Sequence, residues 1–191
     1  MIAYAFCGSF CTVARSMRVL SELKARGEEI LPVASEILYS TDTRFASALS
    51  VRKEIETITG RTVIHTVKDA EPIGPVIKPE LLVVAPCTGN TLAKLAHGIT
   101  DTAVTMAVKS QLRSDRPVLI ALATNDGLSA NLANIGTLLC RKNVYFVPIV
   151  QDDPDKKPHS LVADFEAIPR CVDALRSGKQ VRPLFLTCEE K

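Results

Sequence analysis

The residues best placed to do chemistry follow a short apolar run, residues 81–85. That run predicts a strand buried on both faces, and Pro86, which cannot donate to a sheet ladder, is predicted to end it. The residues after it are small and mostly polar: Cys87, Thr88, Gly89, Asn90 and Thr91. A helix with Asn90 or Thr91 as its N-cap is predicted to begin there. Free backbone N–H groups and the helix dipole would then favour an anion such as phosphate, an ordinary strand-to-helix turn being the alternative.

A second polar turn follows the apolar residues 2–6 at the start of the chain. Gly8 would let a ligand approach the backbone closely, and the Ser9 hydroxyl could donate a hydrogen bond to it. The alternative is a plain strand-to-helix turn that binds no ligand. The turn lacks the GxGxxG spacing of a dinucleotide fingerprint, which argues against a standard NAD site. Ser35 stands at the exit of a further predicted strand, residues 29–34.

Alternation of strands and helices along the chain predicts how these turns are positioned. Strands are predicted at residues 2–6, 29–34, 61–67, 81–85, 117–123 and 143–147. The fold class is therefore α/β: a Rossmann-like, doubly wound parallel sheet of about six strands with helices on both faces. It forms a single domain over residues 1–191, with residues 178–191 as a C-terminal tail. The first and fourth predicted strands then meet at the switch point, where ligands of such sheets bind, which favours a phosphate-bearing ligand.

The helices and loops between these strands carry further expectations. Asp42 or Thr43 is predicted to cap a helix that Gly60 ends, and residues 128–140 and 160–176 are also predicted to be helical. Residues 68–79 are rich in proline and glycine and form a loop longer than a strand–helix connection needs. This loop is predicted to be a lid or a subunit contact.

Composition narrows the class of protein. A net charge of +2 is too small to indicate nucleic acid or an anionic membrane as partner. No basic region precedes the first apolar residues, and no apolar run could span a bilayer, so a soluble, cytoplasmic protein is expected. The six cysteines are scattered, without a CxxC pair or metal-ligand spacing to histidine, so no metal site is expected.

Several of these segments together resemble a known superfamily, that of the FMN-binding flavoproteins. It includes phosphopantothenoylcysteine decarboxylase, the lantibiotic-type cysteine decarboxylases and the flavin prenyltransferases. The resemblance is carried by Gly8-Ser9, Ser35, residues 85–91, Ala93-Lys94, Gly98-Ile99 and Asp101. Within the superfamily the chain is most similar to the B-subunit family of bacterial dipicolinate synthases. The segments that carry this similarity are residues 71–75, 86–95, 124–127, 143–148 and 151–154.

The resemblance implies a cofactor, a reaction and partners. It implies a flavoprotein component, with FMN bound, of an oxidoreductase that oxidises dihydrodipicolinate to dipicolinate during sporulation, in the mother cell of a spore-forming bacterium. A separate nicotinamide-dependent A subunit, a small dicarboxylate substrate and a homo-oligomer are the implied partners. FMN, rather than FAD or NAD, agrees with one compact phosphate site. The implied cofactor-binding residues are Gly8, Ser9, Phe10, Ser35, Pro86, Cys87, Thr88, Gly89, Asn90 and Thr91.

Departures from the decarboxylases keep alternatives open. Of their PxMNxxMW motif only Asn125 is present, Leu122 and Thr124 replace the Pro and Met, and the chain has no Trp. His65 lies farther upstream than their catalytic His. Asn125 and His65 are the catalytic candidates, and Thr124 and Asn125 are predicted to contact substrate. The alternatives are a stand-alone FMN-dependent decarboxylase or flavin-modifying transferase, and a non-catalytic partner subunit.

One cysteine of the central loop also has two interpretations. A thiol at a helix N-terminus is a candidate thiolate nucleophile, because the dipole lowers its pKa. Cys87, however, has no base near it in sequence, and aromatising a dihydropyridine needs no thiol adduct. We therefore predict that Cys87 is a small packing residue.

Overall fold

Seven strands form a single sheet in the computed structural model, which describes residues 1–187. The strands are β1 (Ile2–Phe6), β2 (Ile30–Ala34), β3 (Leu81–Cys87), β4 (Val118–Thr124), β5 (Val144–Phe146), β6 (Ile149–Val150) and β7 (Leu161–Ala163). The helices are α1 (Phe10–Ala25), α2 (Glu36–Ser40), α3 (Ala48–Thr59), α4 (Val67–Ala70), α5 (Gly89–His97), α6 (Ala103–Arg113), α7 (Leu132–Leu139) and α8 (Ile168–Leu175), with a 3-10 turn at Phe165–Ala167.

The sheet is mostly parallel and doubly wound, as the sequence predicts. Its order is β2-β1-β3-β4-β7-β6, and β5 pairs with the first half of β4. The order reverses direction between β1 and β3, which are parallel neighbours, so their carboxyl ends meet at the switch point. β6 and β7 are antiparallel additions at one edge, which makes the strand count seven rather than about six.

Each face of the sheet buries its own core. Tyr4 and Phe6 of β1 pack on the face that carries α1 and α8, whereas Ala3 and Ala5 face α5 and α6. β1 and β3 are buried along their whole length. Strands that are covered by helices on both faces consist of continuous apolar residues, which is why β1 and β3 could be predicted from the sequence.

The strand predicted at residues 61–67 is wrong. Only Ile64 bridges to β2, at Val33, and α4 follows at once. Thr66 caps that helix, since its hydroxyl accepts a hydrogen bond from the Asp69 N–H at 3.1 Å. Cap formation by a threonine side chain competes with extended pairing, and here the pairing does not extend beyond the bridge at Ile64.

The helix predicted to start at Asp42 or Thr43 begins later. Its N-cap is Ser47, whose hydroxyl accepts a hydrogen bond from the Ser50 N–H at 3.1 Å. Asp42 instead accepts from the Ala48 N–H at 2.8 Å, and Thr43 closes a turn with Ala46. Residues 41–47 therefore form a hydrogen-bonded segment between α2 and α3, which we call the 41–47 turn.

Pro86 does not end its strand, contrary to the prediction. β3 continues to Cys87, with a cis peptide between Ala85 and Pro86 and a shift in the pairing register with β4. A proline inside a sheet is tolerated where pairing is irregular. Its carbonyl accepts a hydrogen bond from the Cys7 N–H at 3.1 Å, which joins the two polar loops.

The carboxyl-terminal region also differs from the prediction. Residues 160–176 contain β7 and a 3-10 turn before α8, and the helix predicted at 128–140 covers only Leu132–Leu139. Part of the segment predicted as a tail packs on the fold, because Leu186 donates its N–H to Ile149 at 2.8 Å. Cys188 and the residues after it lie outside the described residues.

Candidate functional site

A cavity of about 810 Å³ opens at the carboxyl ends of β1, β3 and β4. It collects most of the residues predicted from the sequence: Gly8, Ser9, Phe10, Thr88, Gly89, Asn90, Thr124 and Asn125. Asp126 lines it as well, in the turn of residues 124–127 that the sequence places on the substrate side of the cofactor. Sequence reasoning did not assign to the site several further wall residues, among them Cys11, Arg44, Phe45, Asp152, Lys157 and Ser160. They come from segments that are distant in sequence, and only the chain fold brings them to one place.

The amino end of α5 forms one wall of the cavity. Thr88, not Asn90 or Thr91, is the N-cap: its hydroxyl accepts a hydrogen bond from the Thr91 N–H at 3.2 Å. The Thr91 hydroxyl in turn donates to Cys7 Sγ at 3.3 Å, which ties α5 to the end of β1. The exposed Asn90 side chain and the backbone N–H groups of Gly89 and Asn90 are the groups of this helix end that are available to an anion.

Two glycines let the backbone approach its neighbours closely. A Cβ on Gly89 would lie 2.5 Å from Thr124 Oγ1, 2.6 Å from Asn131 Nδ2 and 2.9 Å from Asp126 Oδ1. A Cβ on Gly8 would lie 2.6 Å from a methyl of Ile37. Neither position has a positive φ, so crowding is what favours glycine at both. The crowding is more severe at Gly89, where three polar side chains meet the added Cβ, than at Gly8, where one exposed isoleucine would have to shift.

Asp126 organises the turn after β4. Its carboxylate accepts hydrogen bonds from the Thr124 hydroxyl and from Asn131 Nδ2, the latter at 2.8 and 2.9 Å. The hydrogen bond from Thr124 has the largest effect and lowers the pKa of Asp126 below its usual value. The hydrogen bonds from Asn131 lower it further, whereas partial desolvation acts in the opposite direction. A fixed negative group thus holds the turn whose exposed member, Asn125, faces the cavity.

Ser35 carries a buried hydroxyl that has no hydrogen-bond partner among the described residues. Its backbone N–H donates to the carbonyl of Phe6 at 2.9 Å, so it lies at the carboxyl ends of β2 and β1. An unpaired buried hydroxyl costs free energy unless a ligand or water satisfies it. Ser35 does not line the cavity, but it lies next to the end of β1, and its unpaired hydroxyl and the two crowded glycines fit a phosphate-bearing ligand held near the switch point.

His65 is not brought into the cavity wall. Its ring stacks on that of Tyr39, with centroids 3.6 Å apart and planes within 1°. Arg52 lies over the same tyrosine ring, 4.3 Å from its centroid. These contacts make His65 part of a stacked cluster beside α2 and α3, and nothing in them indicates proton transfer.

Two cysteines at the strand ends beside the cavity, Cys7 and Cys87, are core residues, whereas Cys11 is exposed in the cavity wall. Burial raises the pKa of the Cys7 thiol to about 11 and that of Cys87 well above its usual value. Cys87 is fully buried, so the dipole of α5 does not make it a thiolate at neutral pH. Within residues 1–187 no group of three or more His, Cys, Asp or Glu side chains could hold a metal ion.

A doubly wound sheet with a cavity and a helix N-terminus at its switch point, and no GxGxxG turn, is typical of mononucleotide-binding α/β proteins. The chain belongs to the Flavoprotein family, whose model matches residues 2–175. No helix among residues 1–187 has the length and apolar character that crossing a membrane requires.

Two relatives are similar over nearly their full length. The chain is 38% identical over 185 residues to the dipicolinate synthase B subunit of Bacillus subtilis (strain 168), covering 97% of this chain and 92% of that protein. The crystal structure of the dipicolinate synthase B subunit from Bacillus halodurans superposes with a TM-score of 0.89 at 35% identity, covering 97% and 95% of the two chains. The FMN-dependent cysteine decarboxylase SpaF shares the fold, with a TM-score of 0.65 at 23% identity over 88% and 91%. The resemblance drawn from the sequence is confirmed.

Proposed function

We propose that the chain is the FMN-binding subunit of a dipicolinate synthase and takes part in oxidising dihydrodipicolinate to dipicolinate. The observation that carries the proposal is the near end-to-end similarity to dipicolinate synthase B subunits. The cavity supports it, since the amino end of α5 lines it and its volume of about 810 Å³ leaves room for a second, ring-sized molecule.

FMN fits the residues at the switch point. Its phosphate would be held by the first turn of α5, with hydroxyls from Ser9 and Ser35 and with glycines allowing close approach. Thr88 would act as the cap of that turn, because its hydroxyl already donates to Thr91 Oγ1 at 3.1 Å. Pro86, Cys87 and Thr91 lie in or behind this wall and act through backbone and packing. Bound FMN would supply a two-electron acceptor.

The chain's own residues would orient the substrate. Oxidation of the dihydropyridine ring removes two electrons and two protons, so the ring must be held in one position against the acceptor. The Asn125 amide has no hydrogen-bond partner among the described residues and can donate to a substrate carboxylate. Asp126 fixes the turn, which keeps Thr124 and Asn125 in place.

The partners and location belong to the same proposal. We propose that the chain acts with a separate nicotinamide-dependent A subunit, in the mother cell of a sporulating bacterium. A homo-oligomer is supported by large exposed apolar side chains: Ile37, Phe45, Leu49, Val76, Ile99, Leu128, Leu132 and Phe185. Of the 68–79 loop, Val76 can serve such a contact, whereas Ile73 cannot because it is fully buried.

The decarboxylase alternative has less support. His65 stacks on Tyr39 outside the cavity, and the solved decarboxylases are similar in fold alone. The other alternative, a non-catalytic partner subunit, can be distinguished from the proposed function by a reconstitution experiment. The A subunit, this chain and FMN are mixed in all combinations, and dipicolinate formation is followed by absorbance.

Dipicolinate formation that requires both chains and FMN supports the proposal. Equal rates with FMN-depleted and FMN-loaded chain would favour the non-catalytic partner instead. Release of carbon dioxide from a thiol-containing carboxylate by this chain alone would favour the decarboxylase.

A further inference from the structure

Four charged side chains lie in the cavity wall, and among the two cations one has no partner of opposite charge. Asp126 accepts hydrogen bonds from Thr124 and Asn131. Lys157 pairs with Asp152, with Nζ and Oδ2 3.2 Å apart. Arg44 makes no ion pair with any residue in the 1–187 range. Its positive charge is therefore the one in the wall that remains for a ligand.

The 41–47 turn holds Arg44 in place at the cavity. The Thr43 N–H donates to the carbonyl of Ala46 at 3.0 Å, and the Thr43 hydroxyl accepts from the Phe45 N–H at 3.2 Å. Asp42 ties the turn to the first residue of α3. The Arg44 guanidinium lies 4.8 Å from the centroid of the Phe45 ring, so it is restrained on one face and free at its edge. A restrained guanidinium loses less side-chain entropy on binding than a free one.

We propose that Arg44 binds a carboxylate of the substrate and sets the preference of the site for a dicarboxylate over a monocarboxylate. This inference rests on the proposed function, because it assigns a residue to the substrate of that reaction. The planar guanidinium forms two parallel hydrogen bonds with a carboxylate, a geometry that lysine cannot match. The exposed amide of Asn125, in the same wall, is available for the second carboxylate.

The phosphate of FMN is a less suitable partner for Arg44. The phosphate site is built from the amino end of α5 and from hydroxyls at the ends of β1 and β2. Arg44 comes from a different segment, between α2 and α3, and its Phe45 neighbour adds an apolar face suited to an aromatic or dihydropyridine ring. The two anionic ligands thus have separate sites in one cavity.

The test measures binding of pyridine-2,6-dicarboxylate and of pyridine-2-carboxylate to the FMN-loaded chain, by titration calorimetry. Arg44→Gln removes the charge, and Arg44→Lys keeps the charge but loses the two-bond geometry. Arg113→Gln is the matched control, since Arg113 is an exposed arginine that ends α6 just before β4 begins, whereas the cavity lies where β4 ends. FMN affinity is measured separately for each variant.

We expect Arg44→Gln to weaken the dicarboxylate about tenfold, which corresponds to about 1.4 kcal/mol. The monocarboxylate should weaken less, Arg44→Lys should recover part of the loss, and Arg113→Gln should bind like the wild type. Equal loss for both ligands, or no loss for either, overturns the role of Arg44 but leaves the proposed function standing. Loss of FMN affinity in Arg44→Gln would reassign the guanidinium to the phosphate. A wild-type chain that binds FMN but neither pyridine acid contradicts both the inference and the proposed substrate, and one that does not bind FMN contradicts the proposed function itself.

Discussion

The α-carbon of Gly89 faces the hydroxyl of Thr124 so closely that a Cβ at position 89 would lie 2.5 Å from Thr124 Oγ1. Gly89 begins α5 and Thr124 ends β4, so this contact sets the distance between the helix end that we propose for the phosphate and the turn that presents Asn125. Asp126 and Asn131 would also be in contact with a Cβ at position 89, so the close packing at Gly89 restricts the positions of both walls.

Gly89→Ala should therefore disturb both walls at once. The added methyl meets polar atoms of a hydrogen-bonded cluster that cannot move without breaking bonds, so we expect destabilisation of about 1–3 kcal/mol. FMN affinity should fall as well. Denaturant unfolding and FMN titration measure the two effects.

Gly136→Ala is the matched control for this substitution. Gly136 lies inside α7, and a Cβ there would meet nothing within 4 Å. Alanine should raise helix stability by up to about 1 kcal/mol and leave FMN binding unchanged. If Gly89→Ala behaved like Gly136→Ala, the crowding would not constrain the site.

Asp126→Asn should reduce the dependence of stability on acid pH. The pKa of Asp126 is lowered in the folded protein, chiefly by the Thr124 hydrogen bond, so its contribution is fully present above the unfolded value, about 4. That contribution is lost as the pH falls from about 4 toward the lower folded pKa. The free energy of unfolding of wild type and variant should therefore differ most at neutral pH and converge in acid.

Thermal unfolding between pH 3 and pH 7 checks this. Asp115→Asn is a useful comparison, because the pKa of Asp115 is also lowered, but by Lys142, at a site fully exposed to solvent. Its partner is surface-exposed, so its effect on stability should be small. A difference between Asp126→Asn and wild type that stayed constant across this range would contradict the assignment.

Cys7 and Cys87 should resist thiol reagents that modify Cys11 and Cys140. The first two thiols are buried, with pKa values raised by desolvation, whereas the other two are exposed. Only the thiolate reacts, and only when accessible. Residue-resolved mass spectrometry after brief alkylation at pH 8 should find Cys11 and Cys140 modified first.

Replacing Cys87 tests by activity whether this thiol is only a packing residue. Cys87→Ala should cost about 1–2 kcal/mol of stability through lost packing and keep flavin binding and turnover with the partner subunit. Near-complete loss of turnover with flavin still bound would make Cys87 a chemical participant. Rapid alkylation of Cys87 in the folded chain would point the same way.

The sequence predicted best what depends on long apolar runs. β1, β2, β3 and β4 are continuous apolar segments, and their parallel order follows from the helices between them, so the switch point and its two polar loops were located correctly. The short antiparallel strands β6 and β7, of two and three residues, carry no periodicity that could reveal them.

The sequence did not predict the finer features of the site, namely the N-cap of α5, the wall residues from distant segments and the position of His65. Thr88, Asn90 and Thr91 can all cap a helix, and only the fold decides that Thr88 does so. Arg44 enters the site because the 41–47 turn meets the cavity, which no local pattern indicates. His65 was a candidate by residue type alone, and its stacking on Tyr39 is a tertiary contact.

Substitution of Ser35 should affect the stability of the ligand-free chain and the affinity for FMN in different ways. Buried and without a partner among the described residues, it costs free energy in the absence of ligand. Ser35→Ala removes that cost and breaks no side-chain bond, so the ligand-free chain should be as stable as the wild type or slightly more so. If the hydroxyl donates to the FMN phosphate, the same substitution should weaken FMN about tenfold, since hydrogen bonds to charged groups contribute about 1.5–3 kcal/mol.

Ser16→Ala supplies the contrast. Its hydroxyl is also buried, but it donates to the carbonyl of Ala85 at 2.6 Å and bonds with the Tyr4 hydroxyl at 2.9 Å. Its loss should destabilise the chain and leave intrinsic FMN affinity nearly unchanged, because Ser16 lies inside α1, away from the cavity wall. Unfolding with and without FMN resolves the two cases: Ser35→Ala should lose the FMN-induced stabilisation and Ser16→Ala should keep it. A Ser35→Ala chain that is destabilised without ligand and binds FMN normally would show that the hydroxyl serves the fold rather than the phosphate.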